Sequence, residues 1–515
     1  MNSETPARIV NVAAVLVLVI LSLAVLGNSM MKPVGRDEQM YCTGAVCLAQ
    51  GKLIYRDFSY AAQMPYHPLL CAALYKIFNT THYLLVGRLV SCVCDILVMV
   101  CIVGIYRRIF KSFRVYGILF GLAAAVLYVF NPLVDYANGY AWNHDVVILC
   151  VVLSFWLFVS TDFRQRSAYW RIAAMGALLT FATCMRVTTA LVELLFFVML
   201  LTMPAGSIMQ RVKTALPFLA AGAVVLIWPV SVIARAPQAF FLNLVKIPML
   251  YGRWLYEIGM VHDKLGLTLA CLNTAGYRVI LLMTVYLCLT GLYLRRSLKA
   301  ANARGLLLAV LLVVTFFVIA LIPPTMWRQY LAVPVPFMVI AFAFPLSYLR
   351  EVADKAKVGK HFKIASAVTA FCVLVAVTSY PVVLYRVPVV LVPEGWGPVE
   401  LHKVSADIAQ KARQPGPVLT LAPLLAIEGG SEIYTELSAG AIIYRIADFL
   451  SAEERRITHT AGPDTFAPVL EASPPSAAIF GLEMRGLEEP LMKAAVKDDW
   501  EVKKYENGPT AYFRP

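Results

Sequence analysis

The sequence predicts an all-α polytopic membrane protein of about eleven transmembrane helices, followed by a C-terminal soluble α/β domain. Three observations carry that reading. Hydrophobic residues make up 60% of the 515 positions against 15% charged, with a mean hydropathy of +0.71, which is too apolar for a soluble globular chain. Apolar runs of roughly 15 to 25 residues recur as far as Tyr385, each about long enough to span a bilayer. Beyond Arg386 the runs stop and acidic residues and turn formers become frequent, which divides the chain into 1–386 and 387–515.

The runs fall at 9–27, 83–106, 115–130, 145–160, 172–185, 187–203, 214–234, 277–294, 305–322, 331–349 and 364–385. The first lacks an A-x-A cleavage site and reads as a retained anchor. Lys and Arg concentrate in the loops at 107–111, 164–171, 211–213, 295–304 and 350–363, which share one side with the N-terminus. The positive-inside bias makes that side cytoplasmic. The loops 28–82 and 235–276 and everything after residue 386 then lie on the outer face. The net charge of +14 therefore reports orientation in a membrane, and nucleic acid is not an expected partner. Most of the eleven cysteines lie inside apolar runs and read as small packing residues, which leaves Cys42 and Cys47 as the only redox candidates. In the tail, Val418–Leu421, Ala477–Phe480 and Ala511–Phe513 read as strands with helical patterns between them.

One stretch organises the functional reading: RDEQMYCTGAVCLAQGKLIYRDFSYAAQMPYHPLL, from Arg36 to Leu70. Asp37 and Glu38 stand within about ten residues of an apolar run, so both carboxylates lie near the membrane surface. A segment of helical spacing follows, then Gly51, a turn at Tyr55-Arg56-Asp57-Phe58 and the proline-flanked Pro65-Tyr66-His67-Pro68. From spacing alone, Asp37 and Glu38 suit the capping of the following helix as well as chemistry.

Asp37-Glu38-Gln39-Met40-Tyr41, Gly51 and Tyr55-Arg56-Asp57-Phe58 resemble the first outer loop of the type C glycosyltransferases (GT-C fold). The resemblance is to the branch holding the bacterial aminoarabinose and galacturonic acid transferases and the protein O-mannosyltransferases. It implies an enzyme that takes its sugar from a polyprenyl phosphate carrier and passes it to a hydroxyl of a periplasmic glycan, lipid or protein acceptor, with lipid A or lipopolysaccharide favoured. It also implies a bacterial inner-membrane location, with Asp37 as the catalytic base and Glu38 in support. Relatives carry K-P-P-L where this chain has Met64-Pro65-Tyr66-His67-Pro68-Leu69, so His67 stands where a phosphate-gripping lysine is expected.

Other residues suit the same chemistry. Asp145 and His144 open an apolar run on the outer side, where they serve either as a helix start or as acid–base and sugar-binding groups beside Asp37. A His-Asp pair also suits a divalent metal, although no fixed ligand spacing supports one. Arg328, in Trp327-Arg328-Gln329-Tyr330 between Pro323-Pro324 and Pro334, is the cation of a short outer loop, placed to hold phosphate or to snorkel beside Trp327 and Tyr330. Arg186 and Arg88 sit at the ends of apolar runs as pathway residues or snorkellers. The 235–276 loop interleaves Lys246, Tyr251, Arg253, Trp254, Tyr256 and His262 with apolar residues, a pattern that suits a membrane-lying helix or a lid over a lipid carrier.

Some chemistries are absent from the sequence. No phosphate-binding loop, H-E-x-x-H, G-x-S-x-G or dinucleotide fingerprint occurs, which argues against ATP drive, zinc proteolysis, serine hydrolysis and a nucleotide-sugar domain. Two alternatives from other classes remain: a transporter or flippase of lipid-linked sugars, for which no internal repeat is visible, and a non-catalytic glycan-assembly partner.

Overall fold

The computed structural model describes residues 4–163, 165–202, 207–260, 263–294, 300–323, 325–353, 359–506 and 508–515. Arg164, His262, Pro324 and parts of the basic loops 295–304 and 350–363 lie outside the described residues.

Each apolar run forms helix. In chain order the first ten are α1 (Glu4–Met31), α2 (Arg36–Ala49), α3 (Tyr66–Phe78), α4 (Tyr83–Ile109), α5 (Arg114–Val129), α6 (Pro132–Ala137), α7 (His144–Ser160), α8 (Ala168–Thr183), α9 (Ala190–Leu201) and α10 (Ile208–Arg235). Among the described residues, seven helices are long and apolar enough to cross a membrane, or up to eight if a bent pair counts as one span. That pair, Lys264–Leu272 and Ala275–Gly291, turns by 76° at its break. Shorter apolar helices at His144–Ser160, Val187–Leu201 and Val382–Leu391 complete the bundle.

Burial sorts these helices into layers. In the most apolar 18 residues of Arg328–Val352, 78% of positions are buried against protein, whereas in those of Arg8–Met31 and Ile208–Arg235 only 22% are. The first is therefore central and the other two present apolar surface outward, as lipid-facing helices do. Outward residues of α1 include Ile9, Val12, Leu16 and Val19. One large core joins α1, α4, α5, α7, α8 and α9 to the Leu331–Leu349 region.

After Arg386 the chain makes two short 3-10 turns, the first of them packed against α1, and enters the helix Gly397–Lys411. Four strands follow: β1 (Val418–Thr420), β2 (Ala477–Phe480), β3 (Glu501–Lys504) and β4 (Thr510–Phe513). Their order is β1-β2-β4-β3, parallel between β1 and β2 and antiparallel elsewhere. Three of the four match runs read from sequence. β3 escapes such a reading because it is a charged edge strand, Glu-Val-Lys-Lys, and largely exposed.

The sheet packs on both faces. One face buries Leu419, Leu421, Ala478 and Phe480 under Leu487, Leu491 and Trp500. The other buries Val418, Ala477, Ile479 and Phe513 beneath Leu401 and Ile408, and this core runs on into Cys42, Ala45 and Val46 of α2 and Cys71 and Tyr75 of α3. The 28–82 region is thus sandwiched between the helical bundle and the sheet.

Candidate active site

The acid-bearing loop is shaped by its own polar groups. α2 starts after Pro33, and the Glu38 carboxylate accepts the Gly35 amide at 2.7 Å, closing the helix N-terminus. At the Tyr55-Arg56-Asp57-Phe58 turn, Asp57 accepts the Leu53 amide at 2.7 Å and the Tyr55 amide reaches the Phe58 carbonyl at 3.1 Å. Tyr55 holds a left-handed φ of 67° and is fully buried, and its hydroxyl donates to the Gln63 carbonyl at 2.6 Å. From the 235–276 region, buried Asn243 takes the Ser59 hydroxyl at 2.7 Å and the Tyr60 amide at 3.0 Å on its Oδ1. Its carbonyl also accepts the Ala62 amide at 2.9 Å. These bonds fix the chain from Ala61 to Gln63 as a wall.

That wall bounds a cavity of about 610 Å³. Asp37, Arg186 and Arg445 line it, together with Tyr41, Tyr330 and the apolar membrane-helix residues Phe316 and Ile319. Asp37, on the first turn of α2, is half-buried here. Burial raises its carboxyl pKa, and the nearby Arg186 charge acts in the opposite direction. Arg186 sits in extended backbone at the break after α8, with Nη2 donating to Asn143 Oδ1 at 3.2 Å. Asn143 is itself held by its amide group on Gln63 Oε1 at 2.9 Å and the Met185 carbonyl at 2.8 Å. Arg445 comes from the C-terminal region. It donates to Tyr251 Oη at 3.1 Å and pairs with Glu483 at 2.5 Å, while Glu483 also pairs with Arg36 at 2.8 Å.

The structure gathers some of the residues singled out by sequence and separates others. Asp37, Arg186 and Tyr330 share the cavity. Glu38 borders it, but its carboxylate is engaged behind the wall: Arg88 Nε and Nη2 grip Oε1 and Oε2 at 2.9 and 2.8 Å, and the Ala141 amide adds 2.6 Å. Arg88 is fully buried and spends its remaining donors on the carbonyls of Ser29, Lys32 and Pro33, so it is an internal strut and cannot meet a lipid phosphate. His67 is also buried. Its ring lies edge-on to Tyr41, and burial lowers its pKa to about 3, which leaves it neutral and unsuited to replace the missing lysine.

Asp145 accepts the Gly139 amide at 3.0 Å inside the protein, and His144 beside it is fully buried; neither borders the cavity, so the expected grouping with Asp37 does not form. Arg328 is exposed and outside the cavity, because its 3-10 turn directs Trp327, Gln329 and Tyr330 inward instead. Lys246 pairs with Glu454 at 2.5 Å and Arg253 with Glu257 at 2.9 Å on the exposed side of the 235–276 region. Arg445 and Asn243 escaped sequence reading. No local signal marks either, since Asn243 meets Ser59 and Arg445 meets Tyr251 across nearly two hundred positions of chain.

A half-buried carboxylate facing two guanidiniums across an apolar-walled cavity suits proton abstraction beside a bound phosphate. Comparisons with known proteins agree in kind. A family model described as dolichyl-phosphate-mannose-protein mannosyltransferase matches residues 62–233. The ArnT of Cupriavidus metallidurans, solved bound to undecaprenyl phosphate, superposes with a TM-score of 0.62 at 14% identity, covering 99% of this chain and 98% of that one. Its apo form gives 0.60 at 15% identity, covering 99% and 98%. The Archaeoglobus fulgidus oligosaccharyltransferase gives 0.52 at 10% identity, covering 94% of this chain and 71% of that one. No curated protein matches in sequence. The class these findings define is one of fold: a multi-pass membrane chain with the fold of ArnT, of which residues 62–233 match the mannosyltransferase family model. The likeness to ArnT extends over nearly the full length of the chain, whereas the family match is confined to its first half.

Proposed function

We propose that the chain transfers a sugar from a polyprenyl phosphate carrier to a hydroxyl of an extracytoplasmic acceptor, inverting the anomeric centre. The acceptor we favour is lipid A, lipopolysaccharide or another envelope glycan. The observation that carries the reading is the 610 Å³ cavity in which Asp37 faces Arg186 and Arg445 while membrane-helix side chains supply an apolar wall. The carrier lipid enters along Phe316 and Ile319, and its phosphate meets the guanidiniums. The acceptor hydroxyl gives its proton to Asp37 as its oxygen bonds to the anomeric carbon, and the carbon–oxygen bond to phosphate breaks with its electron pair leaving on the phosphate. No acid is needed, since the departing phosphate is a stable anion held by arginine.

In this reading the N-terminus is cytoplasmic, and the 28–82 and 235–276 regions and residues 387–515 form the extracytoplasmic part of a bacterial inner-membrane protein. The test is incubation of the purified chain with a polyprenyl phosphate sugar and an acceptor glycolipid. Released polyprenyl phosphate is expected, and Asp37→Asn should retain the fold but less than about 1% of the rate. An intact carrier bond, as a transporter or assembly partner would leave, or near-normal turnover by Asp37→Asn, overturns the proposal.

A further inference from the structure

A second cluster of side chains lies outside the cavity, where the N-terminus of α4 meets the C-terminal region. His82 occupies the N-cap of α4, His402 lies on the helix Gly397–Lys411, and Glu428 follows the short helix Leu424–Ile427. One ligand-type atom from each of the three lies within 4.8 Å of those of the other two. The imidazole rings stack with centroids 3.7 Å apart and planes at 30°. Glu428 is buried at 1% exposure, with Oε1 accepting the Leu84 amide at 2.6 Å and Oε2 meeting His402 Nδ1 at 3.1 Å.

Hydrogen bonding accounts for Glu428 and His402 but not for His82, whose buried Nδ1 has no partner among the described residues. We propose that His82, His402 and Glu428 form a structural zinc site that pins the C-terminal region to the first turn of α4. Two imidazole nitrogens and a carboxylate form a borderline donor set that suits zinc better than magnesium or calcium. Zinc–ligand distances near 2.1 Å require the three donors to draw together by about an ångström, which the two half-exposed rings allow by rotation. Water completes the tetrahedron on that exposed side. The second carboxylate oxygen is already oriented by the Leu84 amide, as an outer partner of a metal ligand should be.

The site joins segments separated by more than three hundred positions and leaves the cavity residues untouched. The test uses the full chain in detergent, carrying an affinity tag without histidine, stripped with chelator and titrated with zinc alone against a fluorescent competitor. One zinc per chain is expected, with a rise in melting temperature of at least about 2 °C. Glu428→Gln keeps the acceptor for the Leu84 amide and should weaken zinc binding by about 100-fold or more. His82→Ala removes a ring with no hydrogen-bond partner among the described residues, so it should leave the metal-free melting temperature unchanged while abolishing the zinc-dependent rise. Failure of the wild-type chain to take up zinc, or equal uptake and an equal rise in both variants, overturns the proposal.

Discussion

Glu38→Gln should unfold the protein more readily without touching the reacting groups. The Glu38 and Arg88 side chains are 1% and 0% exposed, so their charges are compensated only by each other and by the surrounding dipoles. Oε1 accepts from Arg88 Nε and Ala141, and Oε2 from Arg88 Nη2 and Gly35. A glutamine turns one of those oxygens into a donor that faces two donors, and it leaves the guanidinium charge unpaired. Breaking one half of a buried ion pair costs about 3–5 kcal/mol. Two lost charge-assisted hydrogen bonds at about 1.5–3 kcal/mol each give a consistent figure. Chemical denaturation in detergent reads the loss directly. The double variant Glu38→Met with Arg88→Met removes both charges and should recover most of it, since buried pairs exchange for apolar residues at small cost. A loss below about 1 kcal/mol in the single variant, or a double variant as unstable as the sum of its parts, would refute the assignment of this pair as a strut.

Other outcomes follow from the same geometry. Arg186→Gln should reduce kcat/KM for the lipid-linked donor by about 100-fold or more, as removal of a charge-stabilising donor does, with folding retained; steady-state kinetics on wild type and variant check this. Activity should fall on acidification through the Asp37 folded pKa, because the base must be ionised. Burial raises that pKa, so the acid limb of the pH–rate profile should lie above the ordinary aspartate value of about 3.9 and disappear from the residual activity of Asp37→Asn. Cys42 and Cys47 are buried free thiols, and burial raises both pKa values, Cys47 to about 11. A water-soluble maleimide at neutral pH should leave both unmodified until the chain is denatured.

What the sequence discloses here is what local physics dictates. Apolar runs must be helical in a lipid solvent, so every run found its helix, although breaks such as the 76° bend after Leu272 are set by packing. Asp37 could be located because its carboxylate stands beside a span. Its neighbour Glu38 carries the same signal, and only the arrival of Arg88 fifty positions later separates strut from cavity wall. Arg328 shows the converse: loop position places a residue near a site but does not say which way a 3-10 turn points it. His144 and Asp145 adjoin a span as Asp37 does, yet they are sealed inside the protein. Arg445 is the clearest omission, since nothing around it in the sequence distinguishes it from any other arginine in the C-terminal region.

The ion-pair relay Arg36–Glu483–Arg445 has a practical outcome for anyone dissecting this enzyme. Its middle member and one end lie beyond residue 386, so a membrane portion expressed alone would lose one cavity guanidinium and the counter-charge that holds another. Catalysis by such a fragment, or its rescue by a separately added tail without re-docking, would be unexpected. The two parts of the polypeptide build one cavity between them.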